Sequence, residues 1–230
     1  MNNFRPGGFA VLPTVVKNLL IINVLFFLAT MAAESVFRID LADYLGLHYI
    51  GASGFQPYQL VTYMFMHGGF THLFFNMFAL WMFGNTLENI WGSNRFLLFY
   101  FVCGIGAGLV QELVQYIQYG AMLSHYDSVN YGGVIIPVKQ YLNMIPTTVG
   151  ASGAVYGILL AFGMMFPNSM LYIYFAIPIK AKWFVLIYGV IELLSGLSGA
   201  SDGIAHFAHL GGMLFGLILI LYWKKKGNLY

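Results

Sequence analysis

Apolar positions in this chain come in long unbroken blocks instead of the narrow stripes of a surface helix. Blocks near 14–33, 71–91, 95–117, 151–167, 182–198 and 204–223 are separated by polar stretches, and about 20 apolar residues is the length an α-helix needs to cross hydrocarbon. The pattern predicts an all-α, polytopic membrane protein of six transmembrane helices, with residues 1–230 forming one domain. The fourth and fifth blocks are short for a full crossing, which fits helices that begin below the membrane surface in a wet, protein-lined cavity. The first block follows a head containing Arg5 and Lys17. It is too long for a signal-peptide core of about 7–15 residues and further spans follow it, so it is expected to remain as a helix of the mature protein.

Composition turns this pattern into a class. With 60% apolar and 8% charged residues, the chain lies far from the soluble norm of about 45–50% and about 25%. Arg5, Lys17, Arg95, Lys180, Lys182 and Lys224-Lys225-Lys226 fall on one side of the predicted spans, against Arg38 and Lys139 on the other. This bias predicts cytoplasmic termini. The basic residues form no phosphate-binding stripe, so nucleic acid is not an expected partner. The lone Cys103 permits no internal disulfide, and its apolar setting reads as core packing.

Two longer connections lie on the outer side. The stretch of about 34–70 mixes Glu34, Asp40 and Asp43 with aromatic residues and is expected to lie partly in the interface; that of about 118–149, with Pro137 and Pro146, reads as an irregular loop. Tyr172, Tyr174, Trp183, Tyr222 and Trp223 are placed as interfacial anchors.

Polar residues inside apolar blocks are costly and mark candidate sites. Gly150-Ala151-Ser152-Gly153 stands at the mouth of the fourth block, after the irregular approach Pro146-Thr147-Thr148. A Gly-x-Ser-Gly string is compatible with packing or capping, but at a helix start the free backbone N–H groups can also stabilise an oxyanion. Serine needs a base. His206 and His209 open the last block, and Gly212 and Gly216 follow on nearly the face of His209, where small residues let helices approach. His209 is therefore preferred as base, with Gly153 and Gly157 thinning the serine helix in turn. Tyr156, one turn after Ser152, can orient the imidazole. No obvious acid completes a triad, since Asp202 falls in a loop. His72 and Asn76 share a helix face at an outer span end, as a solvated cap or as oxyanion donors.

Taken together, these residues resemble the rhomboid family of intramembrane serine proteases, over about Gln56–Gly216. The likeness rests on His72 with Asn76, Gly84 with Leu87-Glu88 and Gly92, Gly150-Ala151-Ser152-Gly153 with Tyr156 and Gly157, and Ala208-His209 with Gly212 and Gly216. It implies a rhomboid bundle in a bacterial-type inner membrane, with Ser152 as nucleophile and His209 as its only partner. It also implies that His72, Asn76 and the Ser152 N–H form the oxyanion hole, that Tyr156 stacks beside the imidazole, and that no cofactor or metal is used. Substrates would be single-span membrane proteins cut near the outer helix end, with lipid as the other partner. Activity would fall at acid pH, because a charged imidazole accepts no proton.

Two features qualify the likeness. Many members carry Trp-Arg in the first outer loop where Tyr58-Gln59 stands here, so the loop is expected to be anchored differently, and the 118–149 connection is longer than in minimal members; Glu88 and His67 match the family and read as structural. Three other readings stay open: a metal site from His67, His72, His206 and His209; a non-catalytic relative that binds membrane clients; and a channel. The last is disfavoured by an expected absence of buried charges and of repeated halves.

Overall fold

The structure is a computed structural model describing residues 11–123, 125–173, 176–199 and 203–227. Arg5, Tyr174 and Asp202 lie outside the described residues.

Helix α1 (Thr14–Ala32) runs into a π turn over Ala33–Phe37 and ends at Arg38 in the left-handed region. Short helices α2 (Ala42–Leu45) and α3 (Gln59–Thr62) occupy the first connection. The next helical path is α4 (Phe70–Ala79), a π turn over Leu80–Gly84 and α5 (Asn85–Trp91); Gly92 then turns it into α6 (Ser93–Leu123). A hairpin of β1 (Ser128–Tyr131) and β2 (Val134–Pro137), with α7 (Val138–Leu142), precedes α8 (Ser152–Met165). A second hairpin, β3 (Met170–Ile173) with β4 (Ile177–Lys180), leads to α9 (Ala181–Ser198) and α10 (His206–Lys225).

The chain is a membrane protein, and among the described residues four helices are long and apolar enough to cross a bilayer: Thr14–Phe37, Ser93–Gly120, Ala181–Ser198 and His206–Lys225. The block at 71–91 is helical throughout, with a π turn at Leu80–Gly84 between α4 and α5. Helix α8 has 14 residues, about 21 Å, against about 30 Å of hydrocarbon. Its serine end can therefore lie well inside the thickness that α6 exceeds.

Three expectations need correction. The stretch 118–149 is not simply irregular: α6 continues to Leu123, and Gly132-Gly133, both with positive φ, close a two-residue hairpin. The second hairpin likewise departs from a purely helical reading. Charges are also buried, at Glu88, Glu112 and Glu192. Glu88 accepts hydrogen bonds from the N–H groups of Val15 and Val16 at 2.9 and 2.8 Å and from the Ser93 hydroxyl at 2.7 Å. A carboxylate there satisfies orphan donors at the start of α1 and complements its dipole. Glu112 accepts the Ile50 N–H at 2.6 Å, holding the first connection to α6.

The core is a three-helix packing of α6, α8 and α10 made possible by glycine. A Cβ at Gly212 would lie 1.8 Å from the Gly153 carbonyl oxygen, and one at Gly157 would lie 2.5 Å from Cys103 Sγ. Cys103 is fully buried between Gly157 and Gly216, in a packing role.

The first connection is organised by Gln59, which is 1% exposed. Its amide nitrogen donates to the carbonyls of Tyr44 and Gly54 at 3.1 and 3.0 Å, and its oxygen accepts from the N–H groups of His48 and Gln56 at 3.3 and 3.1 Å. Backbone bonds at 2.9 Å in both directions between Leu47 and Thr148 then tie this connection to the approach to Ser152. Gln59→Ala strands four backbone groups and is expected to cost about 2–4 kcal/mol, read by unfolding in detergent. A loss below about 0.5 kcal/mol would show that the loop holds without this hub.

Candidate active site

Ser152 is the first residue of α8. The chain reaches it through Gly150, whose φ of 130° suits glycine and whose added Cβ would strike the His72 ring at 2.8 Å. The Gly150 N–H donates to the Tyr63 carbonyl at 2.9 Å, and the Tyr63 hydroxyl donates to the Gly104 carbonyl at 2.6 Å, so this turn is braced against α6. Val155 N–H makes the first helical bond, to the Ala151 carbonyl at 3.0 Å. The N–H groups of Ser152 and Gly153 therefore precede the ladder, and the N-cap residue, Ala151, gives them no side-chain cap.

His209 stands one turn into α10, with Nε2 2.8 Å from Ser152 Oγ. The approach of Gly212 to the Gly153 carbonyl sets the spacing of the two backbones, and Ala208 is equally buried beside Gly153. The Tyr156 ring stacks on the imidazole, with centroids 4.2 Å apart and planes 6° from parallel.

Sequence reasoning missed Glu192. Its carboxylate, on α9, accepts the Tyr156 hydroxyl through Oε1. His206 Nδ1 lies 2.6 Å from Oε2, and His209 Nδ1 lies 3.0 Å from the same oxygen. The last contact has ion-pair distance but not hydrogen-bond alignment, since Nδ1 has no properly directed partner. Glu192, His206 and His209 also offer ligand atoms within 4.8 Å of one another, a donor set compatible with a cation. Their 2.6 and 3.0 Å contacts are tighter than the roughly 3.3 Å edges of a tetrahedron with zinc bonds of about 2.0–2.1 Å. The sequence signal was present: Glu192 is the one carboxylate in its apolar block, and such a residue is a site candidate by cost alone.

A cavity of about 1010 Å³ covers Ser152 and His209 and is lined also by His72, Asn76, Gly150 and Ala205. Asn76 is 6% exposed, and its buried side-chain NH2 has no acceptor. An unsatisfied buried donor facing a cavity is expensive and fits a site whose acceptor arrives with a ligand. His67 packs edge-on against His72 at 5.1 Å, outside the helical spans. Burial, reinforced by His72, pushes the His67 imidazole down to about 4, so this second ring stays neutral.

The Rhomboid domain family model matches residues 54–226, and the chain belongs to the rhomboid family. It is 28% identical over 168 residues to Rhomboid protein 1, mitochondrial, of Saccharomyces cerevisiae, covering 73% of this chain and 42% of that protein. It is 29% identical over 221 residues to Rhomboid-like protein 11, chloroplastic, of Arabidopsis thaliana, covering 83% and 64%. Rhomboid protease AarA of Providencia stuartii is 30% identical over 170 residues, covering 69% and 53%. The matched stretch thus spans about half the length of these relatives.

Gly212→Ala forces a methyl into the Gly153 carbonyl and is expected to destabilise the fold by about 1–3 kcal/mol or more. Gly68→Ala, where an added Cβ meets nothing within 4 Å, should be close to neutral. Equal unfolding midpoints for the two variants would contradict the close α8–α10 approach.

Proposed function

We propose that this chain is an intramembrane serine endopeptidase that cleaves single-span membrane proteins near the outer end of their transmembrane helix. The observation that carries the proposal is the 2.8 Å contact between Ser152 Oγ and His209 Nε2 at the head of a short apolar helix. It is supported by the unpaired Asn76 amide in the same cavity and by relatives named as rhomboid proteases.

In this mechanism neutral His209 accepts the Ser152 proton on Nε2 while Oγ attacks the scissile carbonyl. The oxyanion is held by the Ser152 N–H and by the side chains of Asn76 and His72. The imidazolium returns its proton to the leaving amine as the C–N bond breaks. Water entering through the cavity then hydrolyses the acyl-enzyme, with His209 again acting as base. Gly150, Gly153, Gly157, Gly212 and Gly216 serve by letting α8 and α10 approach, and Tyr156 by holding the ring.

The accompanying topology has six crossings in one domain, made by α1, the α4–α5 path, α6, α8, α9 and α10. Its termini are cytoplasmic and its cavity opens to the outer face, in a membrane of bacterial inner-membrane type. A helical peptide bond is protected by its own hydrogen bonds, so favoured substrates are those whose helices unwind, with small residues at the cut and Gly or Pro nearby.

The test is cleavage of a panel of single-span proteins in liposomes. Ser152→Ala and His209→Ala are expected to lower cleavage by at least about 10³-fold. Asn76→Ala and His72→Ala should each cost about 10²–10³-fold in kcat. Cleavage by Ser152→Ala at the wild-type rate would refute the proposal.

A further inference from the structure

Glu192 takes no part in the chemistry just outlined, yet it occupies a costly place. Helix α9 buries Ala181, Val185 and Glu192 and otherwise exposes apolar side chains such as Leu186, Ile191 and Leu194. A carboxylate in such a helix is strongly unfavourable unless its oxygens are satisfied. Here Oε1 accepts the Tyr156 hydroxyl of α8 and Oε2 lies 2.6 Å from His206 Nδ1 of α10, with His209 Nδ1 of the same helix at ion-pair distance, 3.0 Å. One of these groups belongs to the proposed base, and another is the ring stacked on that base. The carboxylate therefore grips the imidazole twice, once at Nδ1 and once through the tyrosine.

We propose that Glu192 is a positioning residue for His209, an inference that rests on the hydrolysis proposed above. The carboxylate keeps the His209 proton on Nδ1, leaving Nε2 as the acceptor that faces Ser152. When the Ser152 proton moves to Nε2, the positive charge forms 3.0 Å from Oε2. Glu192 stays ionised, and the proton it faces never leaves Nδ1. The Nε2 proton alone passes on to the leaving amine. An amide is a poor substitute, because it carries no charge for His209, offers one acceptor oxygen where Tyr156 and His206 meet two, and turns an NH2 toward one of them.

The test uses the full chain in liposomes with a single-span reporter, active sites being counted by a serine-directed fluorophosphonate. Glu192→Gln is expected to lower kcat per labelled site by about 10–10²-fold, with KM within about twofold because no substrate contact is lost. Glu192→Asp, which keeps the charge, should recover part of that loss. A Glu192→Gln enzyme that keeps its kcat per site within about twofold, while Ser152→Ala is inactive, overturns the role of Glu192 and leaves the protease reading intact. Wild-type cleavage by Ser152→Ala overturns both. If Glu192→Gln does not fold, the nitrogen-15 histidine spectrum of the wild-type protein decides. The Nδ1-protonated tautomer of His209 is expected, and a predominant Nε2-protonated form overturns the inference.

Discussion

Everything in the site depends on how closely two backbones can pass. Hydrocarbon supplies no hydrophobic drive between helices, so contact distance and polar pairing must do the organising. In this chain the carbonyl of Gly153 rests against Gly212, in a space where a single added methyl carbon would come within 1.8 Å of oxygen. That contact brings the first turn of α8 against the first turn of α10. A hydroxyl and an imidazole one turn apart on a looser pair would not meet at 2.8 Å. Cys103, wedged between Gly157 and Gly216, continues the same packing deeper in the bundle.

The residues carried by helix faces were legible in the sequence because helical spacing converts directly into geometry. Ser152, Tyr156, His209 and Gly212 are related by one-turn steps along two apolar blocks, and the structure brings them together. The missing partner came from a third helix. Glu192 shares no spacing with Ser152 or His209, so periodicity could not place it against them, and only the cost of a carboxylate in an apolar block pointed to it. Asp202, the acid nearest to His209 along the chain, is set aside as a loop residue and lies outside the described residues.

Element boundaries were legible where composition changes sharply and not where polar residues continue a helix. The predicted block ends at 117, yet α6 continues to Leu123, and its outer half is held to the first connection where Glu112 takes up the Ile50 N–H. Gln59 shows the converse case. It departs from the pair usual in the family, yet one neutral amide uses both its ends to organise the same loop. Anchoring of this arm therefore needs no cation, and the bond from Leu47 to Thr148 transmits its order to the serine turn.

Helix α9 joins two environments that most enzymes keep apart. Its inner face carries Glu192, while Leu186, Val190, Leu193 and Leu197 are bare on the outside. Acyl chains must complete its solvation, so bilayer thickness and lateral pressure act directly on the tilt of the helix that holds the carboxylate. The surrounding lipid thus bears on the placement of a carboxylate it never touches.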